Sequence, residues 1–455
     1  MAVQLQGEAR FSRRAVKVDE AIRLVLEAAA PGRQEIVPLW EAGGRYLAEP
    51  LVATADWPPF ARSGLDGFAV RSADTALASP SEPVTLRVVA TARAGELASA
   101  AVEPGTAVRI MTGGAVPPGA DAVVMLEQTA DALVDGRPAV RVKRTAEPGQ
   151  NIAPRGEEFR RGSALAEPGT KLRPGHVALL GTFGCADVPV FARPRVAVLA
   201  TGTELLPVEA PLVPGRIRDS NSAMVAALVQ QSGGVPLLLG RVPDEPEAAA
   251  RAIAAALEQS DIIITTGGVS VGDYDVMASL LGGLSAATSA LSAASTTASS
   301  TAPSANAVPT PAAALPPNSR LLFNKAAMRP GSPTSAAIVG GKLLLALSGN
   351  PGACFVGFEL FARPALRRLQ GVAAAEAMLK LATAKLAAGF AKGSPHERFV
   401  RARLHTEGGV LYADPLAFAK SSMMASIPDA DCLIRLKPGS QGAEAGAIVE
   451  IILLQ

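Results

Sequence analysis

Residues 262–265 form a short β-branched run, long enough for a buried strand and too short for a helix. Short apolar runs at 196–200, 235–239 and 343–347 alternate with helical stretches. One begins at Ser220 or Asn221, either of which can cap it, and stops at Gly233-Gly234. A second covers 246–259, with Leu257 one turn beyond Ile253, and a third starts near Gly352. Strand and helix in alternation predict a parallel-rich sheet covered on both faces. Upstream, Asp19 can cap a helix through about Ala30, with Ile22, Val25 and Leu26 on one face and Pro31-Gly32 as the stop. The texture then changes. β-type runs at 84–91, 107–111, 122–126 and 140–145, separated by Pro/Gly turns, predict a small all-β module inserted between helical pieces. Residues 154–192 carry turn signals such as Glu167-Pro168-Gly169 and are read as returning towards the first helix, so the first domain is expected to be discontinuous. Runs at 399–404, 410–412, 432–436 and 448–453 predict a closing β-barrel or sandwich. The fold class is therefore α/β plus β, multidomain. The expected division is 13–53 with 156–192 as a discontinuous N-terminal linker domain, 54–155 as the β module, 193–370 as the α/β domain and 379–455 as the barrel.

Composition alters this picture at one place. Residues 284–317 are almost wholly Ser, Ala, Thr and Pro, without charges or aromatics. Such a stretch buries too little apolar area to offset the entropy of ordering it, so 283–319 reads as a disordered insertion. At 455 residues the chain exceeds one ordinary core. With 49% hydrophobic residues but 4% aromatics, its cores must be built from Ala, Val, Leu and Ile. A formal net charge of +2 gives no reason to expect nucleic acid or an acidic membrane surface as a partner. Cys185, Cys354 and Cys432 are odd in number and far apart, which suggests neither a disulfide framework nor a zinc site. No apolar run is long enough to span a bilayer, and the N-terminus, with Arg10, Arg13, Arg14 and Lys17, lacks the apolar core of a leader. A cytoplasmic protein is the expectation.

The candidate chemistry gathers at strand ends. Gly267 and Gly268 follow the 262–265 run at once, where the chain must turn sharply and no side chain blocks a ligand. Ser270, Gly272, Asp273 and Asp275 then form a polar rim at the carboxyl end of the strand, where open α/β sheets bind ligands. Alone, a Gly-Gly pair is a tight loop. Glu204, in Thr201-Gly-Thr-Glu-Leu, sits just after the preceding strand. Asp244 opens a helix and would ordinarily be its N-cap. Together Glu204, Asp244 and Asp275 can hold a hard cation such as Mg²⁺, which keeps several waters and bridges phosphate oxygens. Lys325 and Arg329, four residues apart, suit a tetrahedral oxyanion or a phosphate. Ser348-Gly-Asn350-Pro-Gly352 is another glycine turn, with amides available to an anion. Asp66 before Gly67 reads alone as a turn residue, and Met111-Thr112-Gly-Gly114 as a hairpin turn that can expose amides. Glu158 shares a loop with Arg155, and Ser421-Ser422 offers small hydroxyls that could face the same cleft.

Taken in this order, from about Val16 to Leu454, these strings resemble the molybdopterin molybdenumtransferase (MoeA) family. The stretch from Asp261 to Asp275 is similar to the signature of its molybdopterin-binding α/β domain, and 63–70, 201–205 and 348–351 carry the rest of the specific likeness. The resemblance implies an enzyme that inserts molybdate into molybdopterin-adenylate, releasing AMP, with Mg²⁺ as cofactor. It implies functional roles for Asp66, Thr112, Glu158, Glu204, Asp244, Asp275, Lys325, Arg329 and Ser422. Catalysis would fall to Asp66, Glu204, Asp275 and Lys325. Substrate binding would fall to Thr112, Gly267, Gly268, Ser270, Arg329, Asn350, Ser421 and Ser422. The metal would fall to Glu204, Asp244, Asp275 and Glu158. It also implies an elongated homodimer with active sites shared between subunits, and other enzymes of molybdenum cofactor biosynthesis as further partners. Glu158 stands where the family often has Asp, and Arg329 and Ser332 where it often has Lys. Burial of several acids together is expected to raise the pKa of at least one. Two other classes use the same α/β domain: the adenylyltransferase acting one step earlier, and a non-catalytic scaffold. The β-rich N-terminal half and C-terminal module disfavour the first, and Asp66, Glu204, Asp275 and Lys325 disfavour the second.

Overall fold

The computed structural model describes residues 14–242, 245–269, 276–281, 284, 315–378, 380–391, 393–417, 420–439 and 442–454. Its centre is a six-stranded sheet in the order Val235–Val242, Arg195–Thr201, Ile262–Thr266, Lys342–Leu347, Ser335–Val339 and Arg320–Phe323. The first four run parallel, Ser335–Val339 runs against them and Arg320–Phe323 against it in turn, so the sheet is mixed. Alternation places Val196, Val198, Ile262, Ile264, Leu343 and Leu345 on one face, against the helix Asn221–Gln231 and the helical run that starts at Pro351. Ala197, Leu199, Ile263, Leu344 and Ala346 lie on the other, against Ala249, Ile253 and Leu257 of the helix Pro246–Gln259 and against Met277 and Leu280. Each fully buried Ile or Leu is worth roughly 1.5–3 kcal/mol, so two closed faces outweigh the weak local propensity of these short strands. The composition-based reading of 283–319 lies largely outside the described residues. Leu284 and Leu315, at its two ends, are buried in the second of these cores.

The first helix spans Val18–Ala28, and its cap position is Lys17 rather than Asp19. Asp19 instead accepts from Arg435 of the C-terminal module at 2.7 Å. The helix packs its buried face, Val18, Ile22, Val25 and Leu26, on the central sheet. Residues 154–192 come back to this part of the chain, to the strands beyond the helix, with Gln34–Pro38 pairing antiparallel to Asp187–Phe191 and Leu51–Val52 pairing with Ala164–Ala166. The β module is a six-stranded sheet ordered Ala122–Met125, Gly67–Val70, Thr106–Ile110, Val84–Ala92, Arg137–Val142 and Thr129–Val134.

The C-terminal strands close on themselves. Glu397–Glu407, Val410–Pro415, Leu381–Leu386, Ile448–Leu453 and Cys432–Leu436 pair in that circular order, the last returning to the first. Closure leaves a five-stranded barrel without free edges. One short strand, Met328–Arg329, joins it in parallel to Glu397 and Arg398, which ties the Lys325–Arg329 loop to the barrel. The same loop is held from its other side by Val16, whose N–H donates to Lys325 O while its carbonyl accepts from Ala327 N. No helix among the described residues is long and apolar enough to cross a membrane.

A candidate active-site cleft

An open cleft of about 1790 Å³ lies at the carboxyl ends of the parallel strands, between the central sheet and the barrel. Its floor is built by two strand-to-helix turns. Gly267 has φ +91°, and a Cβ there would stand 2.6 Å from the Thr201 carbonyl oxygen; Gly268 has φ +66° and sits over the Thr201 hydroxyl. Only glycine meets both the left-handed backbone and that approach. The second turn, Ser348 to Pro351, lies against the first, so that a Cβ at Gly349 would stand 3.4 Å from the Gly267 Cα. The Gly267 N–H donates to Leu347 O at 2.9 Å, extending the strand ladder into the turn.

Charge on the walls is mixed. Glu204 and Asp219 line the cleft together with Arg218, Arg329, Arg398 and Lys420. Among the described lining residues four cations stand against two acids, a balance that favours a ligand carrying several negative charges. Gly267, Gly268, Arg329, Asn350, Ser421 and Ser422 line this cleft, as does Glu204. Lys325 is half-buried and is not among the lining residues. Ser270, Asp244 and Asp275 fall outside the described residues.

Asp66 and Thr112 meet elsewhere, in the β module. The Asp66 carboxylate accepts from Thr112 N–H and from Thr112 Oγ1, both at 2.7 Å. These two bonds, the backbone one first, hold the Asp66 pKa below the usual carboxylate range, with Arg109 nearby adding to the effect. Glu158 pairs with Arg62 at 3.3 Å, and neither belongs to the cleft of its own chain. The expectation of a raised pKa concerns the acids of the cleft rim, of which Asp244 and Asp275 lie outside the described residues; elsewhere Glu20, Asp56, Asp66 and Asp121 all move down. The reason is local. Each accepts hydrogen bonds from nearby donors instead of crowding another acid, and no cluster of three potential metal ligands occurs among the described residues.

Thr112→Val gives a direct check on the Asp66 pair. It removes the hydroxyl donor and keeps the amide, so the Asp66 pKa should rise part of the way to its ordinary value, read by carboxyl NMR titration. A depressed folded-state pKa contributes stability that is present above the unfolded value and lost as pH falls through the folded one. In the variant the contribution is smaller, and its loss, which still begins at the unfolded value, is complete at a higher pH. An unmoved Asp66 titration would remove the hydroxyl from the account.

Several cleft residues escaped the sequence reading. Asp219, not Ser220 or Asn221, supplies the side-chain cap, accepting from Ser222 N–H at 3.0 Å. Arg218 could have been suspected from its place before a helix start, but Arg398 and Arg401 alternate anonymously within a barrel strand. Arg401 is buried, and burial lowers its pKa. Its Nη2 donates to Lys420 O and Met423 O at 3.1 and 3.2 Å, and its guanidinium fills the space that a side chain at Gly352 would need. It thus seats the Lys420–Met423 loop against the sheet's second turn, helped by the Ala353 N–H donating to Ser421 O. Cys354, next to this contact, is fully buried, and burial pushes its thiol up to about 12, so it offers no thiolate near neutral pH.

For a divalent cation the described donors are oxygen: the Glu204 and Asp219 carboxylates, with the Ser348 and Ser422 hydroxyls in the same cleft. Those oxygens are of the kind that a hard cation retaining much of its water takes.

Three family models cover the chain. "MoeA N-terminal region (domain I and II)" matches residues 16–184, "Probable molybdopterin binding domain" matches 197–368, and "MoeA C-terminal region (domain IV)" matches 383–454. The chain is similar to the molybdopterin molybdenumtransferase of Bacillus subtilis, with 41% identity over 440 residues, covering 97% of this chain and 94% of that protein. It is also similar to the protein of that name from Staphylococcus aureus strain COL, with 37% identity over 443 residues and coverage of 97% and 96%. Among solved structures, a molybdopterin biosynthesis moeA protein from Pyrococcus horikoshii OT3 superposes with a TM-score of 0.76 at 29% identity, covering 97% of this chain and all of that one.

Proposed function

Since this chain belongs to the molybdopterin molybdenumtransferase (MoeA) family, a family of transferases in molybdenum cofactor biosynthesis, we propose that it inserts molybdate into molybdopterin-adenylate and releases AMP. The observation that supports this best is the cleft itself. Glycine turns at the strand ends admit a large ligand closely, while Arg218, Arg329, Arg398 and Lys420 supply positive charge for its phosphates and for molybdate.

In this reading Arg329 and the Ser421-Ser422 hydroxyls hold the oxyanion beside the dithiolene, and Lys325, on the same loop, adds charge from behind. Backbone amides of the Gly267–Gly268 and Ser348–Asn350 turns take phosphate oxygens. Glu204, with Asp275 and Asp244, would hold Mg²⁺. When bound, the ion neutralises charge at the pyrophosphate link and steadies the departing AMP phosphate. Asp66, kept ionised by Thr112, acts as a hydrogen-bond and proton acceptor rather than as an acid. Ser270 completes the polar rim, and Glu158 is assigned to the metal by family likeness alone.

The proposal includes a homodimer in which the β module of one subunit covers the cleft of the other, bringing Asp66 and Thr112 to Glu204. The four-part domain division read from the sequence, a cytoplasmic location and contacts with other enzymes of the pathway belong to the same reading. The test is AMP release from molybdopterin-adenylate with and without molybdate. Release that requires both molybdate and Mg²⁺ supports the proposal. Release indifferent to molybdate, or none at all, overturns it.

A further inference from the structure

Asn221 opens a cleft-lining helix, yet its side chain does not cap that helix. The residue is only 9% exposed, and its Nδ2 donates to the Gly349 carbonyl at 2.7 Å. This bond fixes the amide's orientation, because a flipped amide would set two acceptors against each other. It leaves Asn221 Oδ1 buried without a partner among the described residues. A buried, unsatisfied acceptor is a cost that an apolar side chain of the same shape would avoid. Its presence on a cleft wall points to the work done by the other end of the amide.

That work is orientation of a peptide. In a trans peptide the carbonyl and the following N–H point in opposite directions. With its carbonyl drawn to Asn221, the Gly349–Asn350 unit turns the Asn350 N–H away from that helix. The Gly349 and Asn350 N–H groups donate to no protein acceptor among the described residues. Both residues line the cleft beside Gly267 and opposite the Ser421 loop. Without the tether the Gly349 carbonyl is free to rotate, and an oxygen lone pair would then face the space meant for an anion.

We propose that Asn221 is a positioning residue, whose bond to Gly349 holds the Gly349–Asn350 peptide with its N–H presented to an oxyanion in the cleft. The inference rests on the functional reading above, since that reading supplies the anion, and adds a residue to it that touches no substrate.

Asn221→Leu tests it, with inorganic molybdate as the probe in calorimetric titration of the full-length protein. The variant removes both the tether and the unpaired acceptor, so its Tm should equal or exceed that of the parent. Its molybdate Kd should rise about tenfold or more, equivalent to the loss of one well-oriented hydrogen bond to a charged group. In turnover the KM for molybdate should rise more than kcat falls. Asn221→Gln, which retains an amide donor, should recover part of the affinity. A Kd within twofold of the parent overturns the inference. So does a variant that loses Tm and affinity together with no recovery by Gln, which would make Asn221 structural only. If the parent itself binds no molybdate and turns over no adenylate, it is the functional reading that fails, and the inference falls with it.

Discussion

Asp66→Asn and Glu204→Gln should each lower molybdate-dependent AMP release by two orders of magnitude or more, and mixing the two dead proteins should bring activity back. Glu204 lines the cleft, whereas Asp66 is fixed to Thr112 in the β module and does not line the cleft of its own chain. If each site takes Glu204 from one subunit and Asp66 from the other, a mixed dimer has one site carrying both substitutions and one carrying neither. By that two-fold count each mixed dimer should reach about half of parental activity. Neither change need harm the fold, since both groups are exposed and each replacement keeps its shape. The check is AMP release after subunit exchange verified by mass. Persistent inactivity would place Asp66 in its own chain's chemistry and remove the shared site.

Gly267→Ala should be the most damaging single methyl group in the cleft. At φ +91° an L-residue is strained, and the new Cβ would meet the Thr201 backbone oxygen at 2.6 Å and its hydroxyl at 2.8 Å. The hydroxyl can rotate, but the carbonyl belongs to a strand paired on both sides and cannot retreat. Strain and collision together should cost on the order of 2–4 kcal/mol. Displacement of the turn should also abolish most turnover, because the same turn forms the floor on which the ligand lies. Chemical denaturation of the parent and variant reads the first effect. Gly113→Ala, in a turn with open space around it, is the control for backbone conformation alone. Equal losses at the two positions would show that the Thr201 contact contributes nothing.

These two cases also mark what could be read in the sequence. The 262–265 run, the helix at 246–259 and the paired glycines announce themselves locally, by β-branching, by an apolar stripe and by the absence of side chains. The fold class followed from their alternation. The antiparallel pair Arg320–Phe323 and Ser335–Val339 did not, because one follows directly on low-complexity sequence and the other is too short and buried to alternate. For the same reason Gly67–Val70, buried at every position, left no period-two signal. Motif likeness led to Glu204, Arg329, Asn350 and Ser422. It could not lead to Arg401 or Asn221, whose roles consist of reaching backbone carbonyls 22 and 128 residues away. Residues that act through contacts so distant in sequence carry no local mark.

The cleft draws its walls from turns near residues 201, 267 and 349 and from the loop at 420–424, while the Lys325–Arg329 loop is pinned between Val16 and the barrel strand at Glu397. During synthesis the chain emerges from its N-terminus, and its parts fold largely as they appear. Here the central sheet can form once residue 347 is out, but the site cannot. Its last wall and the far anchor of its cationic loop are among the final segments made. A nascent or prematurely ended chain would therefore present a folded sheet with an unfinished pocket, and activity would appear only at completion of the whole polypeptide.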